Sequence, residues 1–216
     1  MNRFDCVIWD LDGCLLDSRP GIIEAMKLTL DHFEIAYNEE DLIHTIGVSW
    51  AEVFMANYGV KEKQLDEVIS FCRTKYIKEG RMMNAILYEG VEKLLQNLKE
   101  KNHRLYVASA KPKAHADTIL RGHGLLDYFD AIHGAELVGS MTKIDLIKVI
   151  LDDMQGVEPA RVVMIEDRAK GIEAAKSCGI VTVGVRHGYA EAGELEGSSA
   201  DYIVDGIPGV RKILIA

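Results

Sequence analysis

Short uninterrupted apolar runs recur along this chain, separated by longer stretches in which apolar residues return every three or four positions. Cys6-Val7-Ile8-Trp9 opens the series, and Arg104 to Ser109, Arg161 to Ile165, Ile180 to Val185 and Tyr202 to Val204 continue it. Runs this short, without polar alternation, predict strands buried on both faces. The segments Val91 to Lys101, Lys113 to His123, Lys143 to Asp153 and Ala169 to Cys178 carry helical spacing instead. Strand–helix alternation of this kind predicts an α/β fold: a doubly wound, mostly parallel sheet with helices on both faces. Such sheets bind ligands beyond the carboxyl ends of their strands.

One stretch departs from the alternation. Between Arg19 and Ala85 the apolar positions (Ile22, Ile23, Met26, Leu30; Trp50, Val53, Phe54; Leu65, Val68, Ile69, Cys72) keep helical spacing and no strand signal appears. The pattern predicts a small all-helical unit, residues 18–85, inserted after the first strand into a core of residues 1–17 and 86–216. Tyr88-Glu89-Gly90 marks the return. A helical insert leaving the core beside a ligand site is placed to act as a lid.

Composition narrows the class. The 216 residues are 48% hydrophobic and 27% charged, as in ordinary globular proteins. A net charge of −9 argues against nucleic-acid or anionic-membrane partners. An anionic ligand would therefore need local positive charge, from a metal or a few cations. The first apolar run is only four residues long and meets acids at once, so neither a signal peptide nor a membrane span is expected. The four cysteines (Cys6, Cys14, Cys72, Cys178) have no C-x-x-C spacing, which suits reduced thiols and a cytoplasmic setting. The seven histidines show no metal-ligand spacing, and Glu191 to Glu196 reads as a solvated acidic face.

The candidate chemistry sits at strand ends. Asp10-Leu11-Asp12-Gly13-Cys14 follows the first run directly. Two carboxylates this close repel, and a divalent cation is a natural compensator. One of them then has the chemistry of a nucleophile and the other of a proton donor. Ser109-Ala110-Lys111-Pro112 ends the second run, with Pro112 expected in the first turn of the next helix and backbone N–H groups free to cradle a phosphate. Glu166-Asp167-Arg168 puts a second acidic pair at another strand end, where helix capping is the competing role. Lys143, after Gly139-Ser140-Met141-Thr142, opens a helix, a mild misfit to the dipole that points to a role such as neutralising a phosphate, with a simple exposed lysine as the commoner alternative.

Taken in order, Asp10 and Asp12, Ser109, Lys143, and Glu166 with Asp167 resemble the motifs of the haloacid dehalogenase superfamily of phosphohydrolases. The resemblance covers nearly the whole chain. Leu16-Asp17-Ser18 with a helical insert directly after looks like the helical-cap branch. Tyr88-Glu89-Gly90-Val91 and Ser109-Ala110-Lys111-Pro112 look like its phosphoglycolate-phosphatase-like members. The resemblance implies a Mg²⁺-dependent phosphatase acting on a small phosphorylated metabolite. Asp10 would be the nucleophile and Asp12 the general acid and base. Lys143, Ser109 and the Ala110 amide would hold the phosphoryl group. Asp10, the Asp12 backbone carbonyl, Glu166 and Asp167 would hold the metal. One departure stands out. The family's last motif is often G-D-x-x-x-D, whereas here Glu166 replaces the glycine and Gly171 the final acid.

A Glu-Asp pair followed by glycine is also the form of beta-phosphoglucomutase-like relatives. The mutases carry a histidine in the hinge entering the cap, and Arg19-Pro20-Gly21-Ile22 has none, which favours hydrolysis. A sugar phosphomutase, a signalling receiver domain and a non-catalytic phosphate-binding protein are the rivals. The receiver is disfavoured because the D-x-D pair lies on the first strand. The sequence does not name the substrate, rank the polar residues of the insert (Ser49, Arg73, Lys75, Arg81) or give the oligomeric state.

Overall fold

The computed structural model describes residues 3–45, 49–135, 141–154 and 156–215. Gly139 and Ser140, ahead of Lys143, lie outside them. Strand β1 (Cys6–Trp9) leads to β2 (Leu16–Asp17) and helices α1 (Arg19–His32), α2 (Trp50–Ala56) and α3 (Glu62–Arg73). After β3 (Ile86–Leu87) come α4 (Val91–Glu100), β4 (Arg104–Pro112), α5 (Lys113–Gly122) and β5 (Ala131–Ala135). Helix α6 (Lys143–Asp153), β6 (Val162–Glu166), α7 (Ala169–Ser177), β7 (Val181–Val185), β8 (Tyr202–Val204) and α8 (Ile207–Leu214) complete the order.

Six strands form one sheet, in the order β5-β4-β1-β6-β7-β8, with every neighbouring pair parallel. This is the doubly wound α/β architecture expected from the alternation of runs. The short apolar runs are buried on both faces, except Tyr202 to Val204, which forms the edge strand β8 and is only half-buried. Cys6, Ile8, Tyr106, Ala108, Val162 and Met164 pack with Leu146, Ile147 and Ile150 of α6 and with Ala174 and Ala175 of α7. Their alternates Val7, Trp9, Leu105, Val107, Val163 and Ile165 are fully buried as well. Helices α4, α5 and α8 also pack on the strands and cover that second face. Each large aliphatic side chain so enclosed contributes about 1.5–3 kcal/mol.

The winding decides where a ligand can sit. From β1 the chain moves outward to β4 and β5, then returns to β6 on the other side of β1. The crevice created by that reversal opens at the carboxyl end of β1. Asp10 is the next residue.

Four elements carry no clear signal in the sequence, among them the two-residue strands β2 and β3. Strand β5 is an edge strand interrupted by His133 and Gly134, and α8 is a short helix with a proline in its first turn. One boundary differs in a way that matters. Strand β4 continues past Ser109 to Pro112, with a register shift against β5 between those residues. Pro112 therefore precedes α5 rather than lying in its first turn.

The chain divides into two compact units, residues 1–17 with 87–216, and residues 18–86. The second unit has its own core, which includes Ala25, Met26 and Leu30 of α1, Val53 and Phe54 of α2, and Val68 and Cys72 of α3. Its polar residues mostly serve its own architecture. The Ser49 hydroxyl accepts the Glu52 N–H at 3.2 Å and caps α2. Lys75 pairs with Glu79 at 2.6 Å, and Arg81 pairs with Glu79 at 2.7 Å and Glu24 at 3.1 Å. Arg73 lies in the last turn of α3, where the helix dipole favours a cation. Among the described residues no helix is long and apolar enough to cross a membrane.

Candidate active site

Asp10 continues the β1 ladder, its N–H donating to the Ile165 carbonyl at 3.0 Å. The chain then closes on itself: the Leu11 carbonyl accepts the N–H groups of Leu15 and Leu16 at 3.0 and 3.1 Å, and the Gly13 N–H reaches the Leu16 carbonyl at 2.8 Å. Gly13 adopts φ +87°, and a Cβ there would meet Asp167 Oδ2 at 2.1 Å. Only glycine permits both the turn and the approach of that carboxylate.

Lys143 answers the question its position raises. Helix α6 is closed by a capping box between Thr142 and Asp145, so the lysine is not needed for the helix start. Its ammonium bonds Asp10 Oδ1, donates to the Ala108 carbonyl at 2.9 Å and lies 3.6 Å from Glu166 Oε2. Three oxygen partners offset the unfavourable end of the dipole.

Glu166 ends β6 and Asp167 follows, both buried. Neither caps α7. The Ala169 N–H is taken by Glu194 Oε1 at 2.8 Å, and the same oxygen accepts from Arg168 Nε at 3.0 Å. The acidic run at 191–196 is thus not simply a solvated face, because Glu194 supplies the cap and leaves Glu166 and Asp167 for other work. Asp167 Oδ2 accepts the Tyr189 N–H at 2.7 Å. The departure from the family motif also has a geometric reading: a Cβ on Gly171 would lie 1.8 Å from Glu166 Oε1. The Glu166 side chain fills the space that a side chain at 171 would enter.

These groups are crowded electrostatically. Burial, then the nearby negative charges, raise the Asp10 and Glu166 carboxyls above their ordinary range, with Lys143 pulling the other way. Burial and Asp10 push Asp167 up to about 7, against the Tyr189 N–H. Burial pulls the Lys143 ammonium down, but Asp10 and Glu166 outweigh it and hold the group protonated. Burial and the same carboxylates keep Cys14 a thiol, its Sγ donating to the Ile165 carbonyl at 3.7 Å.

The donor set fits a hard divalent cation. Ligand atoms of Asp10, Cys14, Glu166 and Asp167 all lie within 4.8 Å of one another. Glu166 Oε2 is buried without a hydrogen-bond partner. Three oxygen donors beside a protonated thiol suit Mg²⁺ better than a thiophilic metal. The Asp12 carboxylate stands outside that cluster and pairs with Lys111 at 3.2 Å. In the sequence Lys111 appears only as part of the Ser109-Ala110-Lys111-Pro112 motif, and its pairing with Asp12 emerges only from the fold. Ser109 is buried and its hydroxyl accepts the Lys111 N–H at 3.1 Å, while Ala110 is exposed at the bulge.

Comparison with known proteins identifies the family. The sequence profile described as haloacid dehalogenase-like hydrolase matches residues 7–185. A 5'-nucleotidase of Pseudomonas aeruginosa is 32% identical over 98% of this chain and 96% of its own length. The tyrosine-protein kinase PtkA of Mycobacterium tuberculosis is 34% identical over 91% of this chain and 67% of its own. Among solved structures, a candidate phosphatase from Clostridium difficile superposes with a TM-score of 0.93 at 30% identity, covering 100% of both chains. The chain belongs to the haloacid dehalogenase-like hydrolase family and is a hydrolase.

Proposed function

We propose that this hydrolase is a Mg²⁺-dependent phosphatase of small phosphorylated metabolites, acting through an aspartyl-phosphate on Asp10. The observation that carries the reading is the convergence of Asp10, Glu166 and Asp167 from two strand ends, with the Lys143 ammonium set against Asp10 and Glu166. Relatives named 5'-nucleotidase, phosphoglycolate phosphatase and phosphorylated carbohydrates phosphatase support the substrate class.

In this scheme an Asp10 oxygen attacks phosphorus and the bond to the leaving oxygen breaks. Asp12 gives its proton to the departing alkoxide. It then takes a proton from water as that water attacks phosphorus, breaking the bond to Asp10 and releasing inorganic phosphate. A carboxylate approaching a phosphate meets like charge. At about 4 Å and an effective dielectric near 20, each unit pair costs roughly 4 kcal/mol. Lys143 offsets part of this from a fixed position, which requires no reorganisation during the reaction. Ser109 and the Ala110 N–H hold a phosphoryl oxygen. Lys111 orients the Asp12 carboxylate. Asp10, Glu166, Asp167 and the Asp12 backbone carbonyl would hold Mg²⁺, which when bound supplies further positive charge at the phosphoryl oxygens. The four free cysteines suit a cytoplasmic setting. Hydrolysis is preferred over phosphosugar isomerisation because Arg19-Pro20-Gly21-Ile22 offers no histidine.

A panel of phosphorylated metabolites tests the reading. Mg²⁺-dependent release of inorganic phosphate is expected. An isomerised phosphosugar as the product would overturn hydrolysis, and silence on every substrate and on aryl phosphates would overturn catalysis.

A further inference from the structure

The loop after β7 takes no part in the scheme above, yet it touches the site's frame at several points. A Cβ on Gly188 would lie 2.3 Å from the Asp167 Cβ and 2.7 Å from the Gly13 carbonyl oxygen. The next residue, Tyr189, donates its N–H to Asp167 Oδ2 at 2.7 Å. The Tyr189 ring flanks the acidic turn, its Cδ2 3.3 Å from where a Gly13 Cβ would stand. His187 Nε2 lies 3.2 Å from the Cys14 carbonyl, and the His187 carbonyl accepts the Tyr88 hydroxyl at 3.1 Å. The Tyr88 and His187 rings are 4.0 Å apart. Three consecutive residues therefore grip one site carboxylate and the turn that carries Asp10 and Asp12.

The choice of donor is informative. An arginine or lysine on Asp167 would orient the carboxylate and also cancel its charge. A backbone N–H orients it while leaving the charge available to a cation. That donor can reach Asp167 only because residue 188 has no side chain to hold the loop away.

We propose that Gly188 and Tyr189 are positioning residues for Asp167, fixing its carboxylate for a divalent cation through the Tyr189 N–H. This rests on the reading of Asp167 as a metal ligand. The test is a double-mutant cycle on metal affinity, without substrate. Free Mn²⁺ is followed by electron paramagnetic resonance in wild type, Gly188→Ala, Asp167→Asn and the double variant, with near-UV circular dichroism confirming the folded state. Gly188→Ala should weaken Mn²⁺ binding about tenfold or more. It should add almost nothing in the Asp167→Asn background. If Gly188→Ala does not fold, Tyr189→Pro, which deletes the donor N–H, enters the same cycle. Equal losses in both backgrounds, or unchanged affinity in a folded variant, would overturn the proposal. An Asp167→Asn protein that binds Mn²⁺ as wild type does would instead remove the ligand reading beneath it.

Discussion

Carboxylates in two regions of the core unit behave in opposite ways. Away from the site, Asp5 lies in a two-pronged bond with Arg161, which holds its carboxyl below the ordinary range. Asp201 is partly buried, but Lys176 and the Thr182 N–H and hydroxyl more than compensate and lower it. Glu194 is likewise lowered, because the Glu191 and Ala169 N–H groups and Arg168 outweigh its burial. At the carboxyl ends of β1 and β6 the direction reverses: Asp10, Glu166 and Asp167 are all raised. The first group is satisfied by neighbours and stabilises the fold. The second is held together by the sheet despite repulsion, which is the signature of a site organised for something not made of protein.

Removing a raised carboxylate should therefore harm turnover far more than stability. Asp10→Asn is expected to cut phosphate release about 10³-fold or more, with circular dichroism unchanged and the thermal midpoint near wild type. Full activity would remove Asp10 as nucleophile. Lys143→Ala should cost about 10²–10³-fold in kcat, since it deletes the cation fixed at the reacting group. A change confined to KM would reduce Lys143 to a binding role.

Gly171→Ala drives a methyl group into Glu166, so the Mg²⁺ concentration for half-maximal activity should rise about tenfold. Exchanging the pair, Glu166→Gly with Gly171→Asp, should recover part of that loss. No recovery would separate Glu166 from the space over residue 171.

A subtler outcome concerns pH. Asp167 sits at about 7 in the metal-free fold, against an ordinary 3.8. Between those values the folded chain keeps a proton that the unfolded chain has lost, so this group's contribution to stability falls as pH rises through the window. Metal-free wild type should lose thermal stability relative to Asp167→Asn from pH 5 to pH 8. Saturating Mg²⁺ should cancel the difference by displacing the proton. A metal-free wild type that gains stability relative to Asp167→Asn as pH rises would contradict this. The smallest effect belongs to the satisfied region: Asp5→Asn should lower the thermal midpoint by about 2–4 °C and leave turnover untouched.

The strands and most helices of the core were legible because burial on both faces leaves uninterrupted apolar runs, and Cys6-Val7-Ile8-Trp9 is such a run. Strand β5 was not, because an edge position tolerates His133 and Gly134. The acidic members of the cluster were legible from strand-end placement together with the ordered family motifs. The geometry that makes them compatible was not. Nothing local in the sequence says that Gly171 is empty because Glu166 occupies its space, that Glu194 caps α7 from a distance, or that Lys111 faces Asp12. Those relations are between segments the chain brings together only after folding.

The order of synthesis gives the central position of β1 a further meaning. Cys6 pairs with Arg104 on one side and Val162 on the other, so the first of the six strands to be made waits longest for its second neighbour. At about 5–20 residues per second, roughly 10–30 seconds separate its emergence from that of its second neighbour. Until that interval ends an apolar strand and an acidic pair lack part of their surroundings, whereas the contiguous helical unit of residues 18–86 has the whole of its own chain at hand well before β6 is made.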